Sequence, residues 1–451
     1  MSFVRVPPDS TGKKVYTKQQ TVGADAVEVQ VLHLADAKYP TQFQAVDKRG
    51  SSSVRFAEGQ PILSGFGALK TISQRALGVY ESSVDTYDDL FYVNEVGGGQ
   101  SNYVPQESSQ VLSVTGAAGD KVSRTTNRYH YYLPGSSNFI NMTTACGDTG
   151  KAGNKRRWGA FDDKDGVFFE LDGTTLYVVI RSSTTGSIVE TKVAQADWST
   201  DTVDGLGWSG HTLDITKINV WWIDYQWLGA GRVRFGIFEP SGARLVCHEF
   251  ENAGAFPLPY MRTGTLPLRT ENVNESATGA TSELREVCMA MYTEGTYEDY
   301  TFWRNSDLEH LDVTVGAVEA PILSVKSKAT INGDHNSIQS YPETLTIYTT
   351  QPISLSLSQD VVLTGATWSQ IGAGSLDADT AATAATGGRR FNTWYFGPGA
   401  HNLTISDLFE LNDEAIQAKA DGLPEIWSFK AKRLTASDAV VSINLGYREL
   451  W

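Results

Sequence analysis

The feature that most constrains this chain is a long aromatic run between residues 157 and 236 that glycine-containing turns interrupt. Segments of strand length alternate apolar and polar residues, and turn pairs such as Asp172-Gly173 and Ser241-Gly242 separate many of them. An Asp-Gly pair between two such segments is a strong hairpin signal. Regular strand spacing of this kind predicts an all-β protein, built as a multi-domain β-sandwich or jelly roll rather than alternating strands and helices.

The same pattern predicts strands on both sides of residue 320. They are residues 166–171, 176–181, 188–193, 218–225, 233–239, 245–249, 344–348, 353–357, 361–364, 402–405 and 440–445. Two segments favour a helix, residues 69–80 and residues 411–420. Gly78 leaves an extended alternative for the first, and Asn412 or Asp413 is a suitable N-cap for the second.

Four regions follow from the composition along the chain. Residues 1–60 are predicted to form an N-terminal anchoring arm with one strand, and residues 61–155 a β-rich region that packs on the central domain. Residues 156–316 are predicted to be the central β-sandwich. After a linker-like segment at 316–321, residues 317–451 are predicted to form a C-terminal β domain.

The arm is predicted to serve assembly. It opens on a turn-rich segment that contains Pro7, Pro8, Asp9, Lys13 and Lys14. Residues 26–34 then alternate at period two, as a strand does. Because one isolated strand is not stable in water, this strand must pair with the rest of the chain or with a neighbouring subunit.

Charge and cysteine content narrow the classes of partner. The net charge of −15 argues against nucleic acid, which proteins recognise chiefly through Lys and Arg. Cys146, Cys247 and Cys288 are widely spaced and form no CxxC pair, so we expect no zinc site, no disulfide framework and assembly in a reducing cytoplasm. We expect no membrane insertion and no classical export signal, since no apolar run is long enough.

Motifs that could carry chemistry are weak. Residues 205–210 match GxGxxG, but no buried strand precedes them and no helical pattern follows, which favours a structural loop. Asp162, Asp163 and Asp165 form either a calcium-binding turn or, as we favour, an Asx turn that opens a hairpin. The histidines show no ligand spacing, so we predict no catalytic, metal or cofactor site. A pair of catalytic carboxylates, as in glycosidases, remains an open alternative. The distance between the two carboxylates in space decides whether they can catalyse that reaction, and the sequence does not show it.

Four tryptophans are candidates for an interface or for stacking on sugars, namely Trp198, Trp208, Trp221 and Trp222. Core or interface packing is the favoured interpretation. Neighbouring residues of a strand face opposite sides. We therefore expect one of Trp221 and Trp222 in the core and the other against solvent, a second sheet or another subunit.

Several sequence blocks between residues 64 and 300 resemble a family of structural proteins found in many tailed phages, notably marine ones. The blocks are SGFGALK (64–70), RTTNRY (124–129), YLPGSS (132–137), RWGAFD (157–162), RSSTTG (181–186), QADW (195–198), SGHTLD (209–214), residues 223–235, PYMR (259–262) and LPLR (266–269). The opening VPPDSTGK (6–13) is similar to the N-termini of phage virion proteins. The C-terminal third matches less clearly, and the block at 64–70 continues differently from its relatives.

The resemblance implies a virion component with no catalytic residues to transfer. The expected protein is a non-enzymatic oligomer, with a homotrimer as first choice, that is fibre-like or decorates the head, neck or tail. Its partners would be capsid, portal, neck or tail proteins, and it would assemble in the bacterial host cytoplasm. The main alternative is a carbohydrate-binding adhesin or depolymerase that binds host-surface glycans, and a third is an internal scaffold.

Overall fold

The computed structural model describes residues 74–83, 86, 89–294, 303–371, 374–405 and 415–450, with only the backbone at 303–307, and the backbone of short strands before residue 54. The chain divides into two compact units, residues 1–62 and 63–451. In the first unit, β1 (Ser2–Val4), β2 (Val15–Val22) and β3 (Asp25–Gln30) form an antiparallel sheet. The strands β4 (Ala45–Val46) and β5 (Ser52–Ser53) form a separate pair.

The second unit begins with fifteen strands that build one sandwich. They are β6 (Gln74–Glu81), β7 (Phe91–Val96), β8 (Gln100–Val104), β9 (Ser109–Val114), β10 (Lys121–Thr126), β11 (Asn138–Ala145), β12 (Asn154–Phe161), β13 (Gly166–Asp172), β14 (Thr175–Ser182), β15 (Val189–Ala194), β16 (Asn219–Tyr225), β17 (Val233–Phe238), β18 (Arg244–Phe250), β19 (Leu268–Asn274) and β20 (Ser282–Glu294). Two short 3-10 helices, Pro105–Glu107 and Gln195–Asp197, lie between them.

These strands form two antiparallel sheets. The seven-stranded sheet has the order β15-β14-β13-β12-β19-β10-β7. The eight-stranded sheet has the order β18-β17-β16-β11-β20-β9-β8, with β6 also paired to β20. The long β20 pairs with β9 through its first half and with β6 through its second half. The Asp172-Gly173 hairpin is present, since Asp172 pairs with Thr175 and Gly173 has a φ of 60°.

Aromatic rings fill the space between the two sheets. Trp158 and Phe169 from one sheet meet Trp221 and Phe235 from the other, and all four are almost fully buried. The ring centroids of Phe169 lie 4.8 Å from Trp221 and 5.2 Å from Phe235. Rings at such distances stabilise a core beyond their buried area. The alternation along β12, β13 and β16 thus produces the core of this first sandwich.

Ten of the fourteen remaining strands build a second sandwich, and the other four form two separate two-stranded pairs. The fourteen are β21 (Trp303–Val315), β22 (Ala320–Ser327), β23 (Thr330–Ile331), β24 (Asp334–His335), β25 (Gln339–Thr349), β26 (Ile353–Gln359), β27 (Val362–Thr364), β28 (Trp368–Gln370), β29 (Leu376–Asp379), β30 (Ala384–Thr386), β31 (Arg389–Phe396), β32 (Gly399–Thr404), β33 (Ile426–Arg433) and β34 (Ala439–Leu450). A sheet of order β21-β34-β25-β32 and one of order β28-β29-β22-β33-β26-β31 enclose a core around Leu355, Trp427 and Ile443. The all-β, multi-sandwich prediction is confirmed. Among the described residues, no helix is long and apolar enough to cross a membrane.

Two predicted boundaries need correction. Strands from before and after residue 155 pair with each other in both sheets of the first sandwich, β10 with β19 in one and β11 with β16 and β20 in the other. Residues 61–155 and 156–316 therefore do not form separate regions. The segment at 316–321 is also not a linker between domains. It connects β21 to β22 inside the second sandwich, because β21 pairs with β34 along almost its whole length. The chain therefore passes between sandwiches after β20 and before β21.

Neither predicted helix is found among the described residues. Residues 74–80 lie in β6, where pairing with β20 outweighs the helical spacing of the apolar residues. Residues 415–420 make isolated bridges, Ile416 with Ser340 and Ala418 with Pro424. Residues 69–73 and 411–414 lie outside the described residues.

Candidate ligand-binding cleft

Three of the four candidate tryptophans are buried within this chain. Trp198 and Trp221 lie in the core of the first sandwich, and the Trp198 indole donates to the carbonyl of Val193 at 3.2 Å. Trp222 points to the opposite face of its sheet, as the strand pattern requires, but it is covered there by Phe139 and is fully buried. The favoured interpretation, packing in the core, therefore holds for these three side chains, and the alternative of stacking on a sugar does not. They stabilise the sandwich.

Trp208 is the exposed member of the set, at 47% of its surface. It belongs to the loop at 205–210, which Asp201 organises by accepting hydrogen bonds from the backbone N–H groups of Val203 at 2.8 Å and Ser209 at 2.9 Å. The chain then continues into β16 without a helix. The interpretation of this glycine-rich segment as a structural loop is confirmed.

The five residues predicted to serve assembly belong to the turn-rich opening of the arm. Pro7, Pro8, Asp9, Lys13 and Lys14 all lie outside the described residues. Their role stays a prediction.

The aspartate-rich segment between β12 and β13 is an Asx turn. Asp162 Oδ1 accepts hydrogen bonds from the backbone N–H groups of Lys164 at 2.7 Å and Asp165 at 2.8 Å. The buried Asp165 accepts from the hydroxyl of Ser183 at 2.6 Å and from the backbone N–H of Arg262 at 2.8 Å. Within the ranges that the structure describes, no three His, Cys, Asp or Glu side chains are grouped to hold a metal ion.

Two buried histidines and one buried cysteine of the first sandwich are neutral at pH 7 and structural. Burial lowers the pKa of His130 to about 3, and the Tyr80 hydroxyl lies 3.2 Å from its Nε2. Burial also lowers the pKa of His248 to about 4, and its unprotonated Nδ1 accepts a hydrogen bond from the backbone N–H of Ser199 at 3.0 Å. The pKa of the Cys146 thiol is raised to about 11 by burial. None of these groups faces a cleft as an activated nucleophile or base.

A row of alternating charges crosses the outer face of the seven-stranded sheet. We call it the charge ladder, and its members in spatial order are Asp163, Arg269, Glu271, Arg157, Glu170 and Lys192. Arg157 bridges two buried carboxylates, with its Nη1 2.6 Å from Glu271 and its Nε 2.5 Å from Glu170. Arg269 continues the row from Glu271 at 2.5 Å to Asp163 at 2.8 Å.

The arginines of the ladder hold the buried carboxylate of Glu271 in its charged form. Burial alone would raise the pKa of Glu271, but the guanidinium groups of Arg269 and Arg157 hold it well below its usual range. The two carboxylates raise the pKa of Arg157 in turn, against the effect of burial. A general acid needs a raised pKa and access to substrate. Glu170 and Glu271 therefore do not form an exposed acid–base pair.

The Asp163 end of the ladder opens into a cleft of about 490 Å³ between the two sandwiches. Its floor is the outer face of β7 and β10, which presents Tyr92, Asn94, Ser123 and Thr125. One wall comes from the Asx turn, the segment before β19 and the start of β19, with Asp162, Asp163, Lys164, Arg262, Thr263, Thr265 and Arg269. The other wall comes from the second sandwich, with His335, Ser337, Asp421 and Gly422. We call this the interdomain cleft.

Direct contacts fix the two walls against each other. The His335 ring stacks on Tyr129, with centroids 4.1 Å apart, and the Gln339 amide donates to the backbone carbonyl of Tyr129 at 2.8 Å. Asp334 pairs with Lys164 at 2.7 Å and with Arg262. The cleft is therefore formed by the packing of the sandwiches, before any ligand enters.

Burial and charge set the protonation states around the cleft. Burial raises the pKa of Asp162, although backbone N–H groups of the turn act in the opposite direction. For the neighbouring Asp163, Arg269 outweighs burial and lowers the pKa. Burial lowers the pKa of His335 to about 4, so this ring is neutral at pH 7. The cleft thus offers carboxylates, an amide, hydroxyls and aromatic rings within a volume typical of ligand sites, roughly 300–1,000 Å³.

Sequence reasoning found the Asx turn but missed the cleft around it. The early signal was that Asp162, Arg262 and Arg269 fall in sequence blocks that resemble the phage family. No local pattern links residues 92–94 and 123–125 to residues 335 and 421, which come from the other sandwich.

No family model and no curated protein matches this chain. Solved structures that resemble it include a protein of unknown function from Shewanella oneidensis MR-1, at 9% identity over 53% of this chain and 93% of that one, with a TM-score of 0.35. A legume lectin-like domain from Entamoeba histolytica matches at 10% identity over 49% and 98%, with a TM-score of 0.30. Lectin I-B4 from Griffonia simplicifolia matches at 9% identity over 48% and 99%, with a TM-score of 0.30. These likenesses concern the fold and not what this chain binds.

Proposed function

We propose that this chain is a non-catalytic adsorption protein of a tailed-phage particle and that it binds host-surface glycans in the interdomain cleft. The observation that carries the proposal is that almost all side chains lining the preformed cleft have groups able to form hydrogen bonds with a ligand. The phage setting rests on the sequence blocks described above and is part of the proposal.

The chemistry of the lining suits a sugar. Each hydroxyl of a sugar both donates and accepts, so a good site combines carboxylate or amide groups with hydroxyls. Asp163 provides a carboxylate and Asn94 an amide, and Ser123 and Thr125 provide hydroxyls. Tyr92, partly exposed on the floor, offers an aromatic face for the apolar side of a ring. A lining with so few apolar side chains does not suit a lipid or a hydrophobic cofactor.

Replacing Tyr92 by alanine should weaken glycan binding at least tenfold, because the substitution removes both a ring face and a hydroxyl from the cleft. A tenfold change corresponds to about 1.4 kcal/mol. The measurement is a microbial glycan array on the purified chain, followed by titration calorimetry with the best oligosaccharide. Tyr395→Ala is the matched control, since Tyr395 is 73% exposed on the second sandwich and lies outside the cleft lining. Equal affinities for the two variants would count against the proposed site.

A second candidate function, assembly into the particle as a structural oligomer, is favoured by the β15 edge of the seven-stranded sheet, where β14 is the one described strand that pairs with β15. The edge strand β15 begins with Val189, 48% exposed, next to Ile188, 57% exposed. Unpaired sheet edges are templates for pairing with another chain. In this account a homotrimer pairs through such edges, and the N-terminal arm contacts capsid, neck or tail proteins.

Deleting residues 1–30 tests the anchoring role. The truncated chain should keep the far-ultraviolet circular dichroism and unfolding temperature of residues 63–451, which form a compact unit of their own. It should also fail to enter phage particles in an in vitro incorporation assay. Normal incorporation of the truncated chain would contradict anchoring by the arm.

A further inference from the structure

We infer that the interdomain cleft selects uncharged glycans over anionic ones and that Asp163 determines this specificity. The inference rests on the proposed function and names the class of ligand for the same site. It follows from how the charged side chains around the cleft are paired.

Each lysine or arginine among the described residues of the cleft lining is already paired with a carboxylate. Lys164 and Arg262 share Asp334, and Arg269 holds Asp163 and Glu271. His335 is buried against Tyr129 and neutral at pH 7. A sulfate, phosphate or carboxylate group on a glycan would therefore have to displace a carboxylate of the protein to reach a cation.

Two carboxylates face the open part of the cleft. The Asp163 side chain is 83% exposed and uses only Oδ1 to contact Arg269. The exposed Asp421, on the opposite wall, accepts the backbone N–H of Leu423 at 2.8 Å through Oδ1. Among the described contacts, neither Oδ2 of Asp163 nor Oδ2 of Asp421 accepts a hydrogen bond from the protein. Such oxygens accept hydrogen bonds from sugar hydroxyls and repel anions.

Asp163 contributes more to the selectivity than Asp421 does, because it also pairs with Arg269. While Asp163 is charged, it pairs with Nη1 of Arg269, and Glu271 pairs with Nη2. An asparagine at position 163 would keep the shape of the side chain but leave Arg269 with one carboxylate. An anionic ligand in the cleft could then pair with Nη1 of Arg269, which Asp163 occupies in the wild-type chain.

The test compares uncharged oligosaccharides of dextran and mannan with anionic oligosaccharides of polygalacturonate and polysialic acid, by array and by calorimetry at 150 mM salt. The wild-type chain should bind at least one uncharged oligosaccharide of the array and bind the anionic set at least tenfold more weakly. Asp163→Asn should lose at least tenfold in affinity for the uncharged ligand and reduce the preference against anions. Asp438→Asn, at a surface pair with Arg433, is the control and should change neither value.

The outcomes separate the inference from the proposed function. Tight binding of an anionic oligosaccharide that competes with the uncharged ones and is weakened by Tyr92→Ala would overturn the inference and leave glycan binding in the cleft intact. Failure of the wild-type chain to bind any glycan of the array would overturn both. Because Asp163 is exposed, its variant should fold, and Asp421→Asn provides a second test in which the uncharged ligand should also bind more weakly.

Discussion

Replacing Arg157 by alanine is expected to lower the free energy of unfolding by roughly 3–5 kcal/mol, because it leaves two buried carboxylates without their shared partner. Glu170 and Glu271 are almost fully buried, and Arg157 lies 2.5 Å from one and 2.6 Å from the other. The guanidinium also lies over the ring of Phe168, so packing is lost with the charge. Lysine at position 157 should rescue only part of the loss, since it cannot form two directed pairs at once.

The measurement is urea unfolding at pH 7, monitored by tryptophan fluorescence, which reports on the first sandwich through Trp158 and Trp221. Arg390→Ala is the control, because the pair of Arg390 with Glu319 is half exposed and should contribute less than about 1 kcal/mol. A loss below 1 kcal/mol for Arg157→Ala would show that the charge ladder does not stabilise the sheet.

Acidification from pH 7 to pH 4 is expected to destabilise the protein steeply through its buried histidines. Burial lowers the pKa of His130 to about 3, and that of His248 and His335 to about 4. In the unfolded chain a histidine titrates near its ordinary value of about 6.5. Between these values the unfolded state binds more protons than the folded state, so stability falls as the pH falls. Each such histidine contributes a slope of up to about 1.4 kcal/mol per pH unit.

Carboxylates extend the same trend to lower pH. The pKa of Glu190 is held to about 2 by Arg181 and Lys192, against the effect of burial. The stability that it contributes is present above about pH 4.3 and is lost as the pH falls towards 2. On acidification, the loss of stability from the histidines therefore begins at a higher pH than the loss from Glu190, and the two losses can be observed separately.

Unfolding curves at half-unit steps of pH test this account. His130→Phe should flatten the decline between pH 6.5 and 4, although it lowers stability at pH 7 because the Tyr80 hydroxyl loses a partner. The control His211→Gln, at a partly exposed position, should leave the slope unchanged. A wild-type stability that is flat from pH 7 to 4.5 would contradict neutral burial of these rings.

The strands could be predicted because their signal is local. Period-two alternation located β13, β14, β16 and β17 within a few residues, and the Asp172-Gly173 pair located a hairpin correctly. The direction of Trp221 and Trp222 to opposite faces followed from the same rule. The burial of Trp222 did not, since it depends on Phe139 and Val246 from other strands.

The failures arose where distant pairing decides the structure. The helical spacing at residues 69–80 was outweighed in β6 by hydrogen bonds to β20, more than 200 residues away. The linker-like segment at 316–321 is the connection of β21 to β22, because β21 pairs with a strand at the far end of the chain. The interdomain cleft joins side chains from four separate parts of the first sandwich and two of the second, and no local pattern predicts that meeting.

Hydrogen–deuterium exchange with the best uncharged oligosaccharide bound tests the central claim of a glycan site between the sandwiches most directly. Exchange should slow in residues 92–94, 123–125, 162–165, 262–265 and 420–422, the segments that line the cleft. Protection confined to another surface, such as the loop at 205–210 that carries Trp208, would contradict the account.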